Sequence, residues 1–553
     1  MPVKHYGIYL AYAPTVDLRH EGLGRYLASF LRGAQQCEDT SFTVACPSWS
    51  RQAVMELLES EGLNAESVAI ISPQGKPYLL RLYEAYQSYL QRPRNGLWRR
   101  AIAAVRHQAQ SARQRLERRL AQANDIGSLL LLLLHGSLLL LLLVLLAPFA
   151  VLWVLLSKAR QLLLVPLRRL LKAPWLALRN RLQQLISDPK EDGWVVRLFQ
   201  TMHAAESRRM QVLIESRNDI SAWYCPTAFW PDFNRIDRPR LMCVPDLMPS
   251  DFAIGFARTG GDRLLGNFET VKQAIAEADH LVTYSHAVKW TSLVDHHGLQ
   301  ASRVRVVPHA PNTLGQHLDI VGFDNPEATA HSYCRLQLLT AMTRCSHPHY
   351  AAGFGNGEVR FLFYPSQFRP NKNLLTLLKA YEHLLRQRFL PHKLILTGDP
   401  AKMSEIGDYI RSHQLENDVI CLPKMSVVQL AACYRLADLA VNPSLSEGGC
   451  PFTFSEALSV GTPCVLARIP VTEEVLQDPQ VQQASLFDPY DWHDMAGRIE
   501  WALNNREQLL ALQNAAYAEL GRRSWADVVR EHIAILDDIT HSPTASRNAK
   551  HAY

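Results

Sequence analysis

The stretch Pro443-Ser444-Leu445-Ser446-Glu447-Gly448-Gly449-Cys450-Pro451-Phe452-Thr453-Phe454-Ser455-Glu456-Ala457-Leu458-Ser459-Val460-Gly461-Thr462-Pro463 decides the fold. An apolar run, Leu436 to Val441, leads into a Pro/Ser/Gly loop that holds one glutamate, and a second glutamate follows on a short helical stretch, Phe454 to Val460. Gly461-Thr462-Pro463 stops that helix before another apolar run, Cys464 to Ala467. The order is strand, loop, helix, strand. It places two carboxylates, Glu447 and Glu456, at the carboxyl end of a parallel strand, where open α/β sheets bind their ligands.

The same alternation extends on both sides of this stretch. In the second half, strands are expected at Arg360 to Tyr364, Lys393 to Thr397, Val419 to Leu422, Leu439 to Val441 and Cys464 to Leu466, with helices between them. Near the start, Tyr6 to Tyr12 reads as a buried strand. A loop follows, and then a helix opened by Gly22-Leu23-Gly24-Arg25. Gly22 and Gly24 would let the backbone approach an anion at a helix N-terminus, although such a glycine pair is more often plain turn chemistry. Strands at Phe42 to Ala45 and Val68 to Ile71 continue the first domain. It pauses near Pro93 and resumes with Ile220 to Tyr224, Leu241 to Asp246, His280 to Ser285 and Val304 to His309. The fold class is therefore α/β, with two doubly wound Rossmann-like domains facing a cleft and an insertion in the first.

A chain of 553 residues is too long for one core, which agrees with two domains plus an insertion. The ten cysteines show no C-x-x-C pair, which points to free thiols in a reducing compartment. Met1 to His5 runs straight into a strand, so no cleavable signal peptide is expected. Net charge is +6, but Arg92 to Arg181 holds 16 Lys/Arg against two acids, or +14, which leaves 6 − 14 = −8 on the rest. The basic charge belongs to one segment, so a nucleic-acid partner is not expected.

That segment also contains the most apolar stretch of the protein. Ile126 to Ser157, 32 residues, carries no formal charge and is mostly leucine. Arginine-rich sequence flanks it, and from Lys158 to Ile186 basic residues alternate with Leu, Val and Trp175. This composition fits a membrane segment on an anionic membrane surface. Basic flanks on both sides, and a domain that continues beyond them, exclude a single crossing. Two full spans need about 40 apolar residues, so a shallow helical hairpin is favoured. A second span from Phe149 to about Pro166 would have to bury Lys158 and Arg160. The expected boundaries are 1–92 and 191–321 for the first domain, 93–190 for the insertion, 322–357 for the connection, 358–541 for the second domain and 542–553 for a polar tail.

Pro-Ser-Leu-Ser-Glu-Gly-Gly and Ser-Glu-Ala-Leu-Ser-Val-Gly-Thr-Pro in the second domain resemble the retaining nucleotide-sugar glycosyltransferases of family 4, which have the GT-B fold. Further stations agree in order and spacing: Gly22-Leu23-Gly24-Arg25-Tyr26, Tyr284-Ser285, Val307-Pro308-His309, Gln367-Phe368-Arg369-Pro370-Asn371-Lys372-Asn373 and Thr397-Gly398-Asp399. The resemblance covers almost everything except the insertion.

The resemblance implies a role for each of these positions. Arg369 and Lys372 would neutralise the charge that develops on a departing nucleoside diphosphate. Glu456 would hold the ribose hydroxyls, and Glu447 would contact the donor sugar near its reacting carbon. Gly448 and Gly449 would offer N–H groups to the donor. Asp246 resembles the family's His-Asp station near the acceptor, with Pro245 in place of the histidine. For Asp246 a structural role is as plausible as a catalytic one, and His309 reads as structural. The family usually has seven residues between the two glutamates, whereas eight intervene here, so either the loop carries one extra residue or Glu447 is displaced. An arginine commonly found where Gln367 stands would be replaced by Arg369.

The expected activity is transfer of a sugar from a nucleotide-sugar donor to a lipid-linked or polysaccharide acceptor. It is placed at the cytoplasmic face of a membrane, the bacterial inner membrane, with no metal and no other cofactor. A non-catalytic GT-B subunit of a polysaccharide assembly and a sugar-nucleotide epimerase are the alternatives.

Overall fold

In the computed structural model the described residues are 3–14, 16–63, 68–91, 194–248, 252, 255, 262–343, 353–354 and 359–541. Two parallel sheets organise them. The first is built from β1 (Lys4–Tyr9), β2 (Thr40–Ala45), β3 (Ala69–Ile71), β4 (Ala222–Cys225), β5 (Arg240–Cys243), β6 (Leu281–Thr283) and β7 (Val304–Val306). The second contains β8 (Phe361–Tyr364), β9 (Lys393–Leu396), β10 (Val419–Cys421), β11 (Leu439–Asn442), β12 (Cys464–Ala467) and β13 (Leu486–Phe487). Helices are numbered α1 (Gly22–Ala34), α2 (Arg51–Ser60), α3 (Tyr78–Gln91), α4 (Trp194–Glu215), α5 (Asp262–Glu277), α6 (Pro326–Met342), α7 (Leu374–Gln387) and α8 (Ser404–Ser412). They continue with α9 (Val427–Leu436), α10 (Phe452–Ser459), α11 (Pro470–Val475), α12 (Pro479–Ser485), α13 (Trp492–Asn504), α14 (Arg506–Leu520) and α15 (Trp525–His541).

The strands form where short β-branched, aromatic and leucine runs are buried on both faces, as in covered parallel sheets. In β1, Tyr6 and Ile8 enter a core with Phe30, Phe42 and Tyr224, while Tyr9 faces the opposite core with Trp223. β1 pairs with β2 (Tyr6 opposite Phe42, Ile8 opposite Val44) and with β4 (Ile8 opposite Tyr224). The first sheet has the order β3-β2-β1-β4-β5-β6-β7 and the second β10-β9-β8-β11-β12-β13. Each order reverses once, between β1 and β4 and between β8 and β11. Such reversals open a crevice at the carboxyl ends of the flanking strands.

Several first-sheet strands are shorter than their apolar runs. Val244-Pro245-Asp246, Tyr284-Ser285 and Val307-Pro308-His309 lie beyond the ladders and form loops at the strands' carboxyl ends. α10 begins at Phe452, two residues before the expected start, and ends at Ser459, one residue before the expected end. Gly461 takes a left-handed φ of 78° and donates its N–H to Leu458, and the Thr462 N–H reaches the Ala457 carbonyl. This pattern satisfies the last helical carbonyls and needs glycine at the turn.

Two segments belong to different cores from those their chain position suggests. A connection is expected at 322–357, but α6 buries Cys334, Leu338, Ala341 and Met342 with Phe361, Phe363 and Tyr434 of the second domain. The second domain is expected to run to residue 541. α15 instead buries Val528, Val529, Leu536 and Ile539 in the first-domain core, and Asp537 pairs with Lys4 at 2.6 Å. An amphipathic helix packs wherever an apolar face awaits it, and α15 finds that face on α1 and β4.

Residues 76–205 make up a second compact unit, of which α3 and the start of α4 are described. The expected membrane insertion, 93–190, and the expected polar tail, 542–553, lie outside the described residues. Among the described residues no helix is long and apolar enough to cross a membrane.

Candidate functional site

The switch point of the second sheet brings two distant motifs together. After β8 the chain runs through Gln367-Phe368-Arg369 into a tight 3₁₀ turn, Pro370–Lys372, and Asn373 adopts a left-handed φ of 52° before α7 starts. After β11 comes the loop that carries Glu447. The two loops are tied by the Leu445 N–H, which donates to the Asn371 carbonyl at 2.8 Å. Asn371 is wholly buried, and its side-chain amide makes no hydrogen bond within the protein.

This tie sets Lys372 against Glu447. Lys372 Nζ lies 2.8 Å from Glu447 Oε1 and donates to Ser444 Oγ at 3.2 Å. Burial works against the ammonium, yet Glu447, Tyr364 and Asp246 together hold its pKa above the ordinary lysine value. The site thus keeps a fixed positive charge beside a carboxylate.

Glu456 is held differently. It projects from α10 with a side chain only 2% exposed, and its Oε1 lies 2.7 Å from Nη1 of Arg25 in α1 of the first domain. The contact is an ion pair without a well-aligned hydrogen bond at that oxygen. Burial raises the Glu456 carboxyl above its usual range, and Arg25, Asn312 and Tyr434 pull it back. The guanidinium of Arg25 also stands 5.9 Å from the Phe452 ring centroid. α10 is fixed to the incoming chain as well, since Ser455 Oγ accepts the Asn312 N–H at 3.2 Å and Ser459 Oγ accepts the Leu314 N–H at 2.9 Å.

Gly448 and Gly449 meet the loops of the first domain. A Cβ on Gly448 would lie 2.1 Å from the Pro245 carbonyl oxygen, and one on Gly449 would lie 2.9 Å from His309 Nε2. No side chain fits between these loops. Beside Pro245, burial and then repulsion from Glu447 raise Asp246 to about 6, opposed by Lys372 and Arg369. Asp246 therefore shares one electrostatic field with Glu447 and Lys372.

His309 is pushed down to about 4 by burial, against the pull of its bond to Ala310 and of Glu447. Its Nδ1 lies 3.1 Å from the Ala310 carbonyl, so Nδ1 carries the hydrogen and Nε2 is left as an acceptor towards Gly449. The ring packs on Phe452 and Tyr284.

The remaining expected residues fall into two groups. Arg369 reaches the first domain. It pairs with Glu21 at 3.6 Å and donates to Gln367 at 3.1 Å, which puts its charge at the N-terminus of α1. Gly22 has open space where a Cβ would stand. A Cβ on Gly24 would lie 2.0 Å from the Leu18 carbonyl oxygen, so packing alone demands glycine there.

Sequence reasoning missed Arg25 and Glu474. Arg25 had a readable signal, because a cation in the first turn of a helix opposes the macrodipole and calls for an acidic partner. Glu474 of α11 accepts the N–H groups of His286 (2.9 Å) and Ala287 (2.7 Å), at the start of a π-helical segment, Val288–His296. Nothing local announces that contact, since its partners lie 187 and 188 residues earlier.

Residues 352–519 match the family model described as glycosyl transferases group 1. Over 180 residues the chain is 29% identical to the serotype-specific mannosyltransferase WbdA of Escherichia coli, which covers 32% of this chain and 21% of that protein. Over 258 residues it is 24% identical to the D-inositol 3-phosphate glycosyltransferase of Kineococcus radiotolerans, covering 45% of this chain and 52% of the relative. The matches span between 20% and 52% of the length of these curated relatives.

Among solved structures, HepE of Anabaena in complex with UDP and glucose superposes with a TM-score of 0.51 at 13% identity, covering 97% of this chain and 100% of that one. The N-terminal domain of Candida albicans trehalose-6-phosphate phosphatase gives a TM-score of 0.55 at 8% identity, covering 98% and 97%. The fold is GT-B, with two Rossmann-like domains on parallel sheets.

Proposed function

We propose that the chain is a retaining glycosyltransferase, moving a sugar from a nucleotide-sugar donor to a lipid-linked or polysaccharide acceptor at the cytoplasmic face of a membrane. The observation that carries this reading is the Lys372–Glu447 pair at the second-sheet switch point, with Asp246 of the first domain in the same electrostatic field. The group 1 match over this domain and the names of the sequence relatives support the reaction class. The apolar and basic sequence of 93–190 supports the membrane.

The residues divide the work as follows. Lys372 stays protonated and meets the negative charge that grows on the diphosphate as its bond to the anomeric carbon breaks. Arg369, at the mouth of α1, supplies a second cation. Glu456 accepts the ribose hydroxyls, with Arg25 balancing its buried charge. Asp246, at about 6, is mostly ionised near neutral pH and takes the acceptor hydroxyl's proton as that oxygen bonds to the anomeric carbon from the face the diphosphate leaves, which keeps the configuration. The nucleoside diphosphate leaves with the bonding electrons.

The test is a panel of UDP-, GDP- and ADP-sugars. A donor at about 100 times its dissociation constant should stabilise the protein by about 3 kcal/mol. With a lipid-linked acceptor, nucleoside diphosphate should be released, and the product should keep the anomeric configuration of the donor. Donor binding with no transfer to any acceptor would favour an epimerase, and no binding at all would leave a non-catalytic subunit.

A further inference from the structure

We infer that α3 lies on an anionic lipid surface through its tyrosine–leucine face. The inference rests on the membrane part of the proposed function and names a contact outside the apolar insertion. Tyr78 is 72% exposed, Leu79 54% and Leu82 51%, while Leu80, between them in sequence, is 5% exposed. On a helix, positions 78, 79, 82 and 83 fall on one arc, and position 80 falls outside it. Tyr83 on the same arc is also exposed. The sequence continues the period with Tyr86, Tyr89 and Leu90. One side of α3 is therefore anchored, and the other presents large apolar residues together.

The chemistry of that face selects lipid. A tyrosine ring is apolar in its body and polar at its hydroxyl, which suits the boundary between headgroups and acyl chains. The charges around it suit an anionic surface. Within α3 the only formal charges are Arg81 and Glu84, and Glu84 is paired with Lys76 at 3.4 Å. Immediately after α3 come Arg92, Arg94, Arg99 and Arg100, with no acid before Glu117. An aromatic-aliphatic face followed by a basic run is the pattern of a helix lying in the plane of an anionic bilayer. In sequence, the uncharged run Ile126 to Ser157 follows that basic stretch.

The experiment uses the full chain reconstituted in vesicles of phosphatidylcholine and phosphatidylglycerol doped with a photoactivatable lipid, with the crosslinks mapped by mass spectrometry. Crosslinks are expected on the Tyr78–Tyr83 segment. They should fall about fivefold or more in vesicles of phosphatidylcholine alone and in the Leu79→Glu/Leu82→Glu variant. Both substitutions are at exposed positions, so nucleotide-sugar binding should be unchanged and serves as the check on folding. Crosslinks on 126–157 with none on α3 would overturn the inference and leave the membrane reading standing. No crosslinks anywhere, with protein that does not float with vesicles, would remove both. A Leu82→Cys variant that resists maleimide in vesicle-free protein would show that another part of the chain, or another protein, covers this face, and would also overturn the inference.

Discussion

Replacing Arg25 with alanine should destabilise the protein by about 3 kcal/mol, and most of that loss should disappear when Glu456 is neutralised in the same chain. The magnitude follows from the geometry. Two unit charges roughly 4 Å apart interact by about 4 kcal/mol at an effective dielectric constant near 20. Removing one partner of a buried pair typically costs about 3–5 kcal/mol, because the other charge is left without water or counterion. Glu456 is 2% exposed and cannot rehydrate, whereas Arg25 is 24% exposed, which places the expected cost at the low end.

The pair is therefore asymmetric. Glu456→Gln alone should cost less than Arg25→Ala, since the stranded guanidinium can reach solvent. The double variant should resemble Glu456→Gln alone. The carboxyl also sets a pH signature. Burial already raises its folded-state pKa, and Arg25 opposes the rise, so loss of Arg25 raises it further. A carboxyl raised on folding is more protonated in the folded state, and its contribution to stability falls as pH increases through that window. The Arg25→Ala penalty should thus be smaller near about pH 5 than near about pH 8. Thermal melts of the four proteins at both pH values, followed by tryptophan fluorescence, measure this. Equal penalties at both pH values, with no relief from Glu456→Gln, would refute the assignment of Glu456 as a buried charge balanced by Arg25.

Three further outcomes test the site. Lys372→Ala should reduce turnover by about 10²–10³-fold, measured as nucleoside diphosphate release under conditions where the variant stays folded, and it should lower the melting temperature because Glu447 loses its counterion. Gly448→Ala should destabilise by roughly 1–3 kcal/mol, because its Cβ would lie 2.1 Å from a backbone carbonyl, whereas Gly22→Ala meets open space and should not lower the melting temperature. If the start of α1 approaches the donor, Gly22→Ala should weaken donor binding in a thermal-shift titration, and unchanged binding would remove Gly22 from the site. Asp246 rises from an ordinary 3.8 to about 6 on folding, so its contribution to stability should decline as pH rises through that interval. Asp246→Asn should flatten that part of the stability profile, and an unaltered slope would assign it to other groups.

The local elements were legible because their signals are local. Apolar runs marked the strands, and Gly461-Thr462-Pro463 marked the end of α10, where the left-handed turn needs glycine. The two-sheet architecture could be read from the alternation of these runs. Glu447 and Lys372 were singled out by motif, and the Leu445–Asn371 tie shows how their loops meet.

Other features depended on packing between segments far apart in the chain. α15 reads as an amphipathic helix of the second domain, and only the apolar face of α1 and β4, which it buries, draws it to the first. Gly24 reads as a ligand-approach glycine until the Leu18 carbonyl supplies a packing reason, and Arg369 reads as the partner of Lys372 until Glu21 is found beside it. The sequence by itself determined which residue types stand at the ends of parallel strands, because strand and turn preferences act over a few residues. The tertiary structure alone decided which charges face one another across the domains, Arg25 with Glu456 and Glu474 with the amides of His286 and Ala287. A charge buried by folding takes its counterion from whatever element the topology brings near, and separation along the chain carries no record of that choice.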